Sequence, residues 1–241
     1  AMCTALLPYL EKDLGGKPTK RLRMFVFAKR ADYEAYCDAS GLGSHKLAAG
    51  LADSGTFVTL VSAEGQSEET VRGIALHELT HLFQYGVTPT VMPSWYNEGF
   101  AETYGGEGTF TWDGTKLTAG GKMDAVYVHP LRDPKNFIPL KTLLAGDALK
   151  LINAQDGTAR MFYNQSWAFF TYLRKHADDE IRVKFLRYEL VCRGAALGAK
   201  AGEHHNRDAS DAAAYFQTLF GSDLAAIETG FKAWLKTYES K

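Results

Sequence analysis

The sequence predicts an α+β fold, with a small mixed sheet in the first part of the chain and helices in the second. Two segments of the first part, residues 21–28 and 55–62, are rich in the branched and aromatic residues that favour strands. From about residue 139 onward, apolar residues recur at helical spacing instead. Because 46% of the 241 residues are hydrophobic, the chain can bury a large core. We expect one unit, residues 1–241, composed of an α+β lobe (1–138) and a mostly helical lobe (139–241).

The first elements have local start and stop signals. Residues 4–14 form a helical pattern, and the two glycines that follow are typical of a helix end. After the first strand, residues 31–39 have the pattern of a crossover helix. The second strand precedes a helix that begins after Ser67, a favourable N-cap residue, and is expected to stop near Gly86 and Pro89.

A hairpin and a series of helices are predicted for the rest of the chain. Residues 109–118 place Asp113-Gly114 between β-prone residues, which is a strong hairpin signal. The glycine-rich stretch 193–208 is predicted to be a mobile loop. Helical patterns cover residues 139–144, 158–176, 179–192, 208–220 and 223–238.

The motif His77-Glu78-Leu79-Thr80-His81 carries most of the chemical information in this chain. Residues four apart lie on one face of a helix, so both imidazoles can bind one zinc ion. Glu78 then flanks the ion, where its carboxylate can accept a proton from water and deliver it to a leaving amine. Because the motif lies inside a helix with one apolar face, it predicts a catalytic zinc site.

A catalytic zinc ion usually has three protein ligands and keeps its fourth position for water. Residues 82–97 separate His81 from Glu98, which lies in the segment Trp95-Tyr96-Asn97-Glu98-Gly99-Phe100-Ala101. The two motifs together resemble the gluzincin metallopeptidases, the class of thermolysin and the aminopeptidase N-type enzymes, and are closest to the bacterial peptidase MA-like group. The resemblance implies a zincin-like fold, a bound Zn²⁺ ion and Glu98 as the third ligand. The spacer is slightly shorter than in the aminopeptidases, which leaves the intervening loop open.

Glu102 lies one helical turn after Glu98 and shares its face. Histidines that bind a metal normally donate their second ring N–H to a carboxylate or a carbonyl. Thermolysin-like enzymes have an acidic residue at this offset, so the resemblance implies that Glu102 supports a ligand histidine. The alternative is a solvated carboxylate on the surface.

A gluzincin site also contains a hydroxyl or an imidazolium that stabilises the oxyanion. The resemblance implies Tyr163, which begins a Tyr-x-Gln-Ser segment on an apolar helix, as in peptidase MA-like sequences. An ordinary core tyrosine is the alternative, because Trp167 and Phe170 follow at helical spacing. Tyr127 and His129 are reserve candidates for the same role.

The resemblance also implies a substrate-binding strand. In the gluzincin fold, an edge strand before the zinc helix borders the cleft and pairs with extended substrate backbone, as exposed strand edges can do in general. Residues 56–62 are the candidate here. An interior strand without substrate contact is the alternative.

Charge and composition argue against several other classes of function. The net charge is −1 and no basic stripe is present, so we expect no nucleic-acid partner. No apolar run approaches the length of a transmembrane helix. The adjacent pair His204-His205 cannot face one ion from a regular helix, so we expect it to be solvated. The odd cysteine count leaves the disulfide state open for Cys3, Cys37 and Cys192.

The sequence therefore predicts a zinc-dependent peptidase that acts on peptides or proteins. Endopeptidase action is favoured, because the chain lacks the Gly-x-Met-Glu-Asn segment with which the aminopeptidases bind a free amine. The competing hypothesis is a catalytically silent binding or structural module of zincin fold in which zinc only stabilises the fold. We expect a monomer, and the resemblance implies an exported bacterial protein, either secreted, periplasmic or at the cell surface.

Overall fold

The computed structural model describes residues 1–88, 90–194 and 209–239. Those ranges form a mixed α+β fold with two small sheets, which agrees with the predicted fold class. The predicted lobe boundary at residue 138 stays a prediction. Three further predictions fall on residues outside the described ranges, namely the stop at Pro89, most of the loop 193–208 and the pair His204-His205.

The larger sheet has three strands, β1 (Arg23–Phe27), β2 (Gly50–Asp53) and β3 (Val58–Ser62). Their order is β1-β3-β2, with β1 parallel and β2 antiparallel to β3. Both predicted strands are confirmed, and β2 was not predicted. The edge-strand role given to residues 56–62 is wrong, because β3 is hydrogen-bonded on both sides and is buried along its whole length.

Four helices belong to the first part of the chain: α1 (Met2–Leu14), α2 (Arg30–Ala39), α3 (Glu68–Val87) and α4 (Ser94–Gly105). Helix α1 ends at Gly15, whose φ of 71° is the left-handed conformation that glycine adopts without strain. Helix α3 begins after Ser67, whose hydroxyl accepts a hydrogen bond from the Thr70 backbone N–H at 3.1 Å. Local chemistry thus determines where these two helices end and begin, as predicted.

The predicted hairpin is confirmed. Strands β4 (Phe110–Trp112) and β5 (Leu117–Ala119) pair antiparallel. In the turn, the Asp113 carboxylate accepts hydrogen bonds from the backbone N–H groups of Thr115 and Lys116. Gly114 has a φ of 98°, which a residue with a side chain rarely adopts.

The remaining described elements are helical. The predicted helices are confirmed, and the helix of residues 158–171 continues into a single π-helical turn, Tyr172–His176. Two short helices, Ala125–Val128 and Ala148–Ala154, were not predicted. No helix of the described residues combines the length and the apolarity needed to cross a membrane. The helices are α5 (Ala125–Val128), α6 (Leu140–Leu144), α7 (Ala148–Ala154), α8 (Thr158–Thr171), α9 (Asp179–Cys192), α10 (Ser210–Phe220) and α11 (Ala225–Thr237).

The main core is aromatic and is centred on α4 and α8. Trp95 of α4 packs with its ring centroid 5.4 Å from that of Phe169, and Tyr96 packs edge-on against Phe170 at 5.3 Å. Aromatic pairs at such distances add attraction beyond the burial of their surface. The core therefore holds α4 firmly against α8. All three cysteines, Cys3, Cys37 and Cys192, are free thiols.

Candidate metal centre

Helix α3 brings both histidines of the motif onto one face. His77 Nε2 and His81 Nε2 lie 2.9 Å apart, because a four-residue offset is close to one helical turn. Both residues are buried, with 8% and 6% of their surface exposed. The helix packs against β2, β3 and α4, so this face is fixed relative to the sheet and to the next helix.

Helix α4 places two carboxylates around the imidazoles. Glu98 Oε2 lies 3.1 Å from His77 Nε2 and 3.3 Å from His81 Nε2. One turn later, Glu102 Oε1 lies 3.1 Å from His77 Nδ1 and accepts a hydrogen bond from this ring N–H. The structure therefore brings together the four residues that the sequence singled out as ligands and supporting carboxylate.

Two glycines allow α4 to come this close to its neighbours. A Cβ on Gly105 would lie 2.6 Å from the backbone nitrogen of His77, so only glycine permits this contact between α3 and α4. On the other side of α4, a Cβ on Gly99 would lie 2.5 Å from the Ser166 carbonyl oxygen of α8. Glycine at these positions thus sets the distance between Glu98 and the histidines.

The donor set fits a divalent metal ion. When His77 donates through Nδ1, its Nε2 carries a lone pair that points towards the Glu98 carboxylate and the second imidazole. Three acceptor atoms then converge within 4.8 Å of one another. Such an arrangement is repulsive in a buried site unless a metal ion or a proton lies between the acceptors. Two nitrogens and one oxygen suit a transition metal such as zinc.

The charge state of Glu98 suits a ligand. Burial raises the pKa of this carboxyl, but without a metal ion the neighbouring His81 and His77, in their protonated forms, outweigh burial and bring the pKa down to about 2. The carboxylate is therefore ionised at neutral pH. A metal ligand must be in this form.

Glu78 lies beside the cluster and lines the cleft described below. Burial raises the pKa of Glu78, the two histidines oppose this effect, and the carboxylates of Glu98 and Glu102 add to it. The net effect is a raised pKa, which makes the carboxylate a stronger base. Among the described residues, no group forms a hydrogen bond with it. Glu78 is thus available to a molecule in the cleft.

Tyr163 of α8 faces the same cluster. Its ring centroid lies 5.9 Å from that of His77, and the side chain lines the cleft. Burial, followed by the charges of Glu98, Glu78 and Glu102, raises its pKa well above the usual range. The hydroxyl therefore stays protonated, and within the described chain it donates to no protein group. The structure thus places the predicted oxyanion donor next to the cluster.

Tyr85 is a neighbour of the centre that the sequence analysis missed. Its ring stacks on that of His81, with centroids 6.1 Å apart and planes 12° from parallel. Burial, together with the charges of Glu98 and Glu78, raises its pKa. A signal was available in the sequence, because Tyr85 continues the four-residue spacing of His77 and His81 along one face of α3.

A cleft of about 390 Å³ opens over the cluster. One wall contains Ala48, Ala49 and Gly50, which lead into strand β2, and this strand is an edge of the described sheet. A Cβ on Gly50 would lie 2.9 Å from Glu78 Oε1, so the backbone of this wall comes very close to the carboxylate. The strand edge beside the cleft is therefore β2, whereas the predicted segment 56–62 lies inside the sheet.

The two reserve candidates lie in different places. Tyr127 lines the cleft, and its backbone carbonyl accepts a hydrogen bond from the Asn164 side chain at 3.0 Å. The neighbouring Glu107 carboxylate raises the pKa of Tyr127 to about 12. His129 is exposed, and its Nε2 lies 3.2 Å from the Tyr238 carbonyl oxygen, outside the cleft lining. Of the two, only Tyr127 is placed to reach a molecule in the cleft.

A buried charge network holds the far side of α4. Tyr96 donates a hydrogen bond to Glu189 at 2.7 Å, and Tyr104 donates one to Asp13 at 2.8 Å. Arg174 forms ion pairs with both carboxylates, at 2.8 Å to Asp13 and 3.0 Å to Glu189. Helix α4 is thereby tied to α1 and α9 on the side opposite to the metal cluster.

Comparison with known proteins adds no relatives: no protein-family model matches the chain, and no curated protein matches it.

Proposed function

We propose that the protein is a zinc-dependent peptidase of zincin-like fold. One observation carries the proposal: the convergence of His77 Nε2, His81 Nε2 and Glu98 Oε2 at a cleft that Glu78 also lines. A closed structural zinc site has four protein ligands and no need of a base beside it. The three-ligand set next to a free carboxylate supports a catalytic site instead.

A zinc ion held by these three side chains would supply Lewis acidity, which lowers the pKa of water and polarises a carbonyl. Glu78 accepts the proton of the attacking water and later delivers it to the leaving amine. Glu102 holds the Nδ1 proton of His77, which keeps that imidazole in the correct tautomer. Tyr163 donates a hydrogen bond to the oxyanion as charge develops there.

The shape of the cleft supports an endopeptidase acting on extended peptide. Residues 48–50 form a wall beside Glu78 and continue into the edge strand β2. An extended substrate can add to this edge through backbone hydrogen bonds, which bind many sequences without reading side chains. A peptide bound in this way places a carbonyl group near Glu78 and Tyr163.

The proposal is tested by zinc analysis together with cleavage of a mixed peptide library. We expect about one zinc ion per chain and hydrolysis that chelator abolishes. The Glu78→Gln variant should keep its zinc and its melting temperature but lose turnover, because an amide cannot accept the proton. Glu68→Gln is the matched control, since this exposed residue of the same helix pairs with Arg72 and with no other group of the described residues. If neither the wild type nor Glu78→Gln cleaves any peptide although zinc is bound, the silent-module hypothesis is preferred.

A further inference from the structure

Arg160 occupies an unusual position in the cleft. It lies in the first turn of α8, lines the cleft and precedes Tyr163 by three residues, which places the two side chains on one face of the helix. Its side chain is exposed to the cleft opening. Nothing in the sequence analysis singled it out, because an arginine near a helix start carries no motif.

Arg160 lies among acidic residues of the cleft lining. Arg160 is the one lysine or arginine among the described lining residues, which also include four glutamates: Glu69, Glu78, Glu102 and Glu107. Despite these carboxylates, Arg160 forms no ion pair and no hydrogen bond within the described chain. Arg174, by contrast, is paired with two carboxylates.

Most of the carboxylates in the cleft already interact with protein groups. Glu102 accepts a hydrogen bond from His77 Nδ1. Glu107 accepts a hydrogen bond from the Tyr127 hydroxyl, and this bond raises the pKa of that phenol. Glu78 flanks the metal cluster. Arg160 contributes a positive charge near the Tyr127 phenol, and both residues line the cleft.

We propose that Arg160 binds a carboxylate of the peptide substrate, so that the cleft selects peptides with an acidic group near the bond to be cleaved. This inference rests on the proposed peptidase function and names its substrate class. A guanidinium presents a planar fork of donors that matches a carboxylate. The carboxylate is either the side chain of Asp or Glu or the C-terminus of the peptide.

The spacing gives the position of this group along the substrate. Arg160 precedes Tyr163 by three residues, which is a rise of about 4.5 Å along α8 at about 1.5 Å per residue. An extended peptide advances about 3.3 Å per residue. If Tyr163 lies at the reacting carbonyl, Arg160 therefore reaches a side chain or terminus about one or two residues away. Apolar residues such as Ile74, Phe110 and Ile152 also line the cleft.

The test measures peptide binding rather than turnover, so that it does not depend on cleavage. Zinc-loaded Glu78→Gln protein is titrated by calorimetry with acetylated, amidated alanine-rich peptides that carry a single Glu at successive positions. Matched Gln peptides and Gln peptides with a free C-terminal carboxylate form the other arms. We expect at least one carboxylate peptide to bind about tenfold or more tighter than its neutral counterpart. The arm that shows the preference identifies the source of the carboxylate.

Substitution of Arg160 decides the proposal. In an Arg160→Gln background the ratio of the two dissociation constants should fall to near one, and Arg160→Lys should retain part of it. Arg187→Gln is the matched control, because it removes one exposed positive charge that lies outside the cleft lining. A ratio that is unchanged in Arg160→Gln, or a general preference for neutral or cationic peptides, would overturn the proposal. Carboxylate-dependent binding without any cleavage by the wild type would instead contradict the peptidase function alone.

Discussion

Replacement of Tyr163 by phenylalanine separates catalysis from stability more clearly than any other change in this site. Within the described chain the Tyr163 hydroxyl forms no hydrogen bond, so its removal breaks no contact inside the protein. The aromatic ring, which lies 5.9 Å from the ring of His77, is kept by phenylalanine. We therefore expect the free energy of unfolding to change by less than about 0.5 kcal/mol.

The effect on catalysis should be large by comparison. Removal of one donor to an oxyanion typically lowers kcat by about 10²- to 10³-fold, or roughly 3–4 kcal/mol of transition-state stabilisation. KM should change less, because the hydrogen bond forms mainly in the transition state. The assay measures kcat, KM, zinc content and melting temperature on one preparation of Tyr163→Phe.

Tyr9→Phe is a control with the opposite expected profile. The Tyr9 hydroxyl donates to the Leu117 carbonyl at 3.0 Å, and neither residue lines the cleft, so its loss should destabilise the fold by about 1 kcal/mol and leave kcat unchanged. A Tyr163→Phe protein that resembles Tyr9→Phe, destabilised but fully active, would refute the assigned role. Tyr127 and Tyr85 would then be the next donors to test, since both lie near the cluster.

Three further predictions follow from the same contacts. Glu98→Ala should lose most of its zinc, as measured by metal analysis, because two ligands cannot hold the ion as three do; full occupancy would exclude this residue from the site. Gly50→Ala should keep zinc but lower kcat, because its Cβ would lie 2.8 Å from Glu78 Cγ and displace that side chain; unchanged kcat would contradict this. Burial raises the pKa of Asp13, but Arg174 outweighs this effect and the net pKa is lowered. The stability that the ionised carboxylate contributes is therefore present above about pH 4 and is lost in stronger acid. In urea unfolding at several pH values, the free energy of unfolding of Asp13→Asn should fall less steeply in acid than that of the wild type.

The parts of the fold that the sequence predicted well are those that depend on local chemistry. Ser67 begins α3 and Gly15 ends α1 through contacts within a few residues of each position. The relative placement of His77 and His81 is likewise a property of one helix. Such features can be derived from spacing alone, because no distant part of the chain has to be known.

The features that were missed depend on distant contacts. Strand β2 has the sequence Gly-Leu-Ala-Asp, which contains poor strand formers and is extended because it pairs with β3. Residues 56–62 were wrongly predicted to be an edge strand for the same reason, because the neighbouring strands determine whether a strand is central or at an edge. One signal was present: Val58, Leu60 and Val61 put apolar side chains on both faces of the strand, which is typical of interior strands.

The position of the third ligand is also a tertiary property, although its identity was predicted from a motif. Glu98 and Glu102 lie on one face of α4. Tyr96 comes two residues before Glu98, and Tyr104 comes two residues after Glu102, so each tyrosine is about 200° around the helix from its glutamate at 100° per residue. The phenols therefore point away from the metal cluster and into the network of Arg174. Loss of one partner from such a buried network typically costs about 3–5 kcal/mol. The same short segment thus supplies both the carboxylates of the candidate metal centre and the phenols that anchor the opposite face of α4. We therefore expect a substitution of Tyr96 or Tyr104 to change the position of Glu98 as well as the stability of the fold.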